Sequence, residues 1–166
     1  MIYYWLSFCL PLIGVLSPVA LIGRAKFLSW SILIIFVFLL IGLRHDVGGD
    51  WINYVELITR VSIEQPSWIL SQKDPGYVLV NWVSTRIGWG IYGVNMFSCL
   101  IFLAGLTHFC WKQPLPSLAW LVATPYLIIV VGMGYTRQSV ALGLMFFAFS
   151  FLEKRKVWRF SVLLLL

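Results

Sequence analysis

Between Phe27 and Leu43 the only polar side chains are Ser29 and Ser31, and Ile32 to Ile41 has none. A helix made of such a run has no wet face, so it must be enclosed by other protein or by lipid. Ile2 to Ile22, Ile91 to Trp111, Leu118 to Val131 and Ser139 to Leu152 are runs of similar character, the first interrupted by Pro11 and Pro18. Charged residues make up 11% of the chain and apolar ones 61%, with a mean hydropathy of +0.92. Soluble domains carry about 25% charged residues, so the composition points to an integral membrane protein. The formal charge of +6 sits in loops beside the apolar runs rather than on one soluble face, which argues against a nucleic-acid partner. The nine Trp, seven Tyr and twelve Phe suit membrane-interface belts and lipid-facing helices. Cys9, Cys99 and Cys110 fall in or at the end of apolar runs with no metal-ligand spacing, and read as small hydrophobes.

The expected fold is all-α, a polytopic transmembrane bundle of five spans plus a truncated sixth that begins at Val157 and stops at Leu166. Ten helical residues rise about 15 Å, half of a ~30 Å hydrocarbon core. The chain therefore reads as a single polytopic membrane domain, 1–166, forming the amino-terminal part of a longer protein. Asp74-Pro75 has the form of a helix start, with Asp as N-cap and Pro at the first helical position. The helix predicted from Pro75 to Ile87 is too short to cross. Its stripe of Asn81, Ser84, Thr85 and Gly88 predicts an interfacial amphipathic helix with that stripe toward water or glycan. Arg24, Lys26, Lys112 and the Lys154-Arg155-Lys156 group lie at one set of run ends, Arg44 and Arg137 at the other. Basic residues in short loops favour the cytoplasm, which puts the acidic segment Arg44–Asp74 outside.

Catalytic signatures of the G-x-S-x-G, H-E-x-x-H, Walker A or Rossmann type are absent, and neither a metal nor another cofactor is expected. Interest falls on the polar residues at the ends of the apolar runs. Asp50 either caps a helix through Trp51, Ile52 and Tyr54, or joins Asp46 and Tyr54 in offering oxygens to sugar hydroxyls or to a proton transfer. Arg137 follows Thr136, a possible N-cap, and opens a helix. A cation there opposes the helix dipole by about 0.3–1 kcal/mol. Its position is explained by an anion such as phosphate shared with the free backbone N–H groups, or by snorkelling to lipid headgroups. Arg44 suits the carboxyl end of its own helix without a ligand. Both arginines reach the same expected face, a pairing that would suit a diphosphate.

Gly42-Leu43-Arg44-His45-Asp46-Val47-Gly48-Gly49-Asp50-Trp51-Ile52-Asn53-Tyr54 resembles the GLR-x-x-VG-x-D-x-x-x-Y signature of the EpsG-like, Wzy-type bacterial polysaccharide polymerases. Asp74-Pro75-Gly76-Tyr77 is similar to that family's acid-x-GY element, with Asp where Glu is more usual. Tyr135-Thr136-Arg137-Gln138-Ser139-Val140-Ala141 is similar to its RQ-x-x-A helix start. The resemblance implies a glycosyltransferase-type enzyme, multi-pass in the bacterial cytoplasmic membrane. It would join oligosaccharide repeat units carried on undecaprenyl diphosphate into exopolysaccharide, capsule or O-antigen. It implies substrate contacts from Arg44, Arg137 and Gln138, carboxylate chemistry from Asp46 or Asp50, and sugar stacking on Tyr54 and Tyr77. Membrane lipids, a flippase and chain-length regulators are the implied partners. A non-catalytic lipid-linked glycan carrier or an assembly subunit is the alternative.

Overall fold

The computed structural model describes residues 2–17, 22–64, 66–69 and 71–153, together with 158 and 161. It is helical throughout, with no strand among the described residues. The helices are α1 (Ile2–Leu16), α2 (Gly23–Gly42), α3 (Trp51–Ile63), α4 (Pro66–Ile69), α5 (Pro75–Ile87), α6 (Gly90–Trp111), α7 (Pro116–Ala123) and α8 (Thr136–Glu153). A π-helical segment, Thr124–Gly132, separates α7 from α8.

The expected five spans plus a truncated sixth are not found. Among the described residues two helices are long and apolar enough to cross a membrane: α2, with 20 residues, and α6, with 22. The reasons are local. Helix α1 has 15 residues, a rise of about 22 Å against the ~30 Å core. The apolar helix that begins at Pro116 stops at Gly132, shorter than α2 and α6, and its hydrogen-bond register changes at Pro125, which has no N–H to offer the carbonyl of Leu121. The Thr124 hydroxyl donates back to the Trp120 carbonyl at 2.9 Å, at the same join. Helix α8 has 18 residues, but Thr136, Arg137, Gln138 and Ser139 occupy its first turn and Glu153 its last position. Most of the expected sixth span, and the basic group 154–156, lie outside the described residues.

Helix α6 is the centre, with α2, α5 and α8 packed around it. Trp30, Leu33, Val37 and Ile41 recur at three- and four-residue spacing and form the buried stripe of α2. Phe27, Leu28, Ile32, Ile35 and Leu39 cover the opposite side and are exposed. An apolar flank of that size is unfavourable in water and natural against lipid. Lipid tails are as apolar as the helices, so close packing rather than escape from water must hold such elements together. Gly105 and Gly143 supply it where α6 crosses α8. A Cβ on Gly105 would run into the Gly143 backbone, 2.8 Å from its Cα, and one on Gly143 would lie 2.8 Å from the Phe102 Cα. Trp30 packs edge-to-face on Trp120 and Trp111, with ring centroids 5.5 and 5.8 Å away.

Helix α5 does not turn its polar stripe outward as the sequence predicts. Asn81 and Ser84 are buried together with Val78, Thr85 is half-buried, and Leu79, Val83 and Ile87 are exposed. The donors of the polar stripe find carbonyls inside, while Asn81 Oδ1 is buried without a hydrogen-bond partner. The Asn81 amide donates to the Tyr77 carbonyl at 2.7 Å, Thr85 donates to the Asn81 carbonyl at 2.8 Å, and Ser84 donates to the Gly90 carbonyl at 2.5 Å. Gly93 leaves room for that serine on α6. Small polar side chains that satisfy backbone carbonyls can face a protein neighbour as readily as water.

Candidate functional site

The chain leaves α2 at Leu43, and Arg44 turns inward. Its side chain is 4% exposed and donates from Nη1 to the Gly132 carbonyl at 3.2 Å and from Nη2 to Asn95 Oδ1 at 3.3 Å. One guanidinium thereby ties the end of α2 to the end of the π-helical segment and to the second turn of α6. Burial pulls the Arg44 pKa below its ordinary value, while the nearby Tyr54 and Tyr77 hydroxyls act in the opposite direction. Arg44 Nε and Asn95 Nδ2 are buried without a hydrogen-bond partner.

The loop that follows is pressed against the start of the α8 region. Gly48 has φ +102°, and a Cβ there would lie 2.7 Å from the Gly134 Cα and 3.0 Å from the Met133 carbonyl. Only glycine allows both the left-handed backbone and the approach. Asp46 also has positive φ, at 50°, and its side chain is exposed. His45 Nδ1 lies 2.9 Å from the Tyr92 hydroxyl, with its ring edge-on to Trp51. Asp50 occupies the N-cap position of α3 but makes no cap with its side chain. Its carboxylate instead accepts long hydrogen bonds of 3.4 Å from Asn53 Nδ2 and from the Tyr54 hydroxyl, which leaves it acceptor capacity.

Tyr54 leads on to the second half of the site. Its ring centroid is 6.0 Å from that of Tyr77, the third residue of α5. The Tyr77 hydroxyl is 2.9 Å from the Thr136 hydroxyl, so the first turns of α5 and α8 are joined there. Burial raises the Tyr77 pKa, an effect larger than the opposing one of the Thr136 hydrogen bond, and the phenol stays neutral at physiological pH. Arg137 Cζ sits 4.7 Å from the Tyr77 ring centroid, and Arg137 Nη1 donates to Asp74 Oδ2 at 2.9 Å. This ion pair is open, with the side chains 50% and 54% exposed.

Two expected caps are used differently. Asp74 stands at the N-cap position of α5 with Pro75 after it, as the sequence predicts, but its carboxylate goes to Arg137 and not to the helix. Thr136 is the first residue inside α8; the Tyr135 carbonyl accepts the Ser139 N–H at 2.9 Å, and the Thr136 hydroxyl is engaged with Tyr77.

The residues singled out from sequence thus form a line from Asp50 through Tyr54 and Tyr77 to Arg137. Arg44 lies beneath it and is enclosed; Arg137, Gln138 and Asp46 are exposed. Arg137 stands at the head of a groove of about 700 Å³ between α5, α6 and α8. Asp46 and Asp50 are not among its lining residues. Asp74, Asn81 and Asn95 are the partners that the sequence reading did not assign to the site. Asn81 and Asn95 carried a signal, since isolated amides in apolar helices need an internal partner.

The described residues define an all-helical protein with two membrane-length helices and a charged, aromatic cluster beside the starts of α5 and α8. A family model described as the EpsG family matches residues 27–166, and the chain belongs to that family. Neither a curated protein nor a solved structure matches it.

Proposed function

We propose that the protein polymerises undecaprenyl-diphosphate-linked oligosaccharide repeat units at the outer face of the bacterial cytoplasmic membrane. Membership of the EpsG family and the helical, apolar build fit a membrane protein of polysaccharide biosynthesis. The observation that carries the finer reading is Arg137, an exposed guanidinium on the first turn of α8 at the head of an apolar-walled groove. Helices α2 and α6 bracket the segment holding Asp46, Asp50, Tyr54 and Tyr77. Arg24 and Lys26 start α2 and Lys112 follows α6, so the basic-inside tendency puts the bracketed segment outside.

In this reaction a growing glycan leaves its lipid diphosphate and passes to a hydroxyl of the next unit. Negative charge builds on the departing diphosphate. Arg137 and the first-turn N–H groups of α8 supply donors for it, and a guanidinium holds two oxygens at once. The acceptor hydroxyl must lose a proton, and Asp50, with its spare acceptor capacity, is the proposed base, Asp46 the second candidate. Tyr54 and Tyr77 offer ring faces to the sugars, and Gln138 lies beside Arg137 on the exposed turn. Arg44 serves the diphosphate through the frame that it holds. A flippase and chain-length regulators are the proposed protein partners.

Vesicles that contain the protein and a lipid-linked repeat unit test the proposal. A ladder of lengthened lipid-linked glycans is expected. Transport or binding of the unit with no lengthening would identify a carrier and remove the polymerase reading.

A further inference from the structure

The groove below Arg137 joins two unlike halves. Its mouth is formed by Lys73, Asp74 and Arg137, and its walls by Phe97, Val140 and Leu144 among others, with Ser98 and the Tyr77 phenol as the uncharged polar lining. A second cavity of about 510 Å³ lies by the end of α6 and the start of α7, between Leu106, Phe109, Pro114 and Leu118, and none of its described lining residues is charged. Cations at one end of an apolar channel suit a molecule with an anionic head and an apolar chain. Two cations face one acid at the mouth, which leaves net positive charge for the head. The acid is Asp74, and its carboxylate already engages one arm of the Arg137 fork, Nη1 to Oδ2 at 2.9 Å.

We infer that the α5–α6–α8 groove binds the apolar chain of a phosphate-bearing lipid, and that the phosphate reaches Arg137 by displacing the carboxylate of Asp74. The inference deepens the proposed function and rests on it for the isoprenoid nature of the chain; the displacement rests on the geometry alone. In the free protein Asp74 stands in for the phosphate. It holds the guanidinium over the Tyr77 ring and joins the starts of α5 and α8. A diphosphate offers Arg137 more charge than one carboxylate and can take Lys73 as well. Exposed ion pairs are weak, so the exchange is reversible.

Equilibrium binding to the whole protein in neutral phosphatidylcholine nanodiscs tests this, with radiolabelled undecaprenyl phosphate as the main probe. Inorganic diphosphate and phosphatidylglycerol serve as the other probes. Asp74→Asn keeps the side chain's size and removes the competing charge. It is expected to tighten undecaprenyl phosphate binding about two- to five-fold, the range over which an exposed ion pair competes. Ala141→Phe, which fills an exposed groove position, is expected to weaken it at least ten-fold and to leave inorganic diphosphate unchanged; Ala141→Leu, a milder filling, should fall between. Unaltered binding in Asp74→Asn, with loss in Arg137→Ala, would overturn the displacement and leave the Arg137 reading standing. No change in either variant would overturn both. Insensitivity of undecaprenyl phosphate to both Ala141 variants would show a headgroup contact only and overturn the groove; phosphatidylglycerol bound as tightly, and weakened by Ala141→Phe, would keep the groove and overturn the isoprenoid chain.

Discussion

Arg44 and Gly132 are 88 residues apart in sequence, yet the Arg44 guanidinium donates to the Gly132 carbonyl at 3.2 Å. The bond closes the π-helical segment onto the end of α2, and the same guanidinium reaches Asn95 on α6. Arg44→Lys keeps the charge but cannot span both acceptors, because an ammonium is a point charge without the planar fork. Leaving one buried partner unsatisfied costs about 1–3 kcal/mol. The variant should therefore melt earlier and accumulate less, with activity falling in step with abundance. Normal abundance with lost polymerisation would instead place Arg44 directly on the diphosphate.

The contact of Gly105 with Gly143 leads to a second expectation. Alanine at either position must push α6 and α8 apart, since the obstacle is backbone and not the end of a flexible side chain. Overpacking of this kind costs about 1–3 kcal/mol. Gly134→Ala is the control, because a Cβ there meets nothing within 4 Å. Thermal unfolding in detergent should separate the two classes, and a Gly105→Ala protein as stable as the control would contradict the close crossing.

Sequence pattern made the helices legible and left their partners obscure. The apolar run from Phe27 to Leu43 and the Asp74-Pro75 start could be read directly, because each depends on neighbours in the chain. Which runs make helices of membrane length could not. It turned on where the helices Ile2–Leu16 and Pro116–Gly132 stop and on how much of α8 its polar first turn consumes. The stripe of α5 failed for a related reason: periodicity shows that a face exists, not whether water or α6 will meet it. In the site, the link between Tyr54 and Tyr77 crosses two helices, and the pairing of Asp74 with Arg137 spans 63 residues. The motif residues could be named from sequence, but which of them touch is a property of the tertiary packing.

Tyr77 gives an alkaline test of that packing. Its native pKa lies above the ordinary value of about 10 because burial penalises the phenolate. Between the two values the native state holds a proton that the unfolded chain has released. This contribution to stability is therefore complete below about pH 10 and is lost as pH rises through the native value. Tyr77→Phe removes the titration and also the bond to Thr136. Melting temperatures measured from neutral pH to about pH 11 should start lower in the variant and fall less steeply. A parallel decline in both proteins would mean that the phenol is not enclosed.

The proposed catalytic role bears most directly on Arg137. It is exposed, and its partners are Asp74 and the face of Tyr77, so its loss should leave the fold intact. An exposed ion pair is worth about 0–1 kcal/mol. A hydrogen bond to a charged group on the substrate is worth roughly 1.5–3 kcal/mol, a rate factor of about ten to a hundred, and more if it strengthens in the transition state. Arg137→Ala should therefore accumulate normally in the membrane and make almost no polymer. Arg137→Lys should retain part of the activity, since it keeps the charge and loses the fork. Polymer of normal length and amount from Arg137→Ala would reduce the arginine to a headgroup anchor and remove the diphosphate site from the proposal.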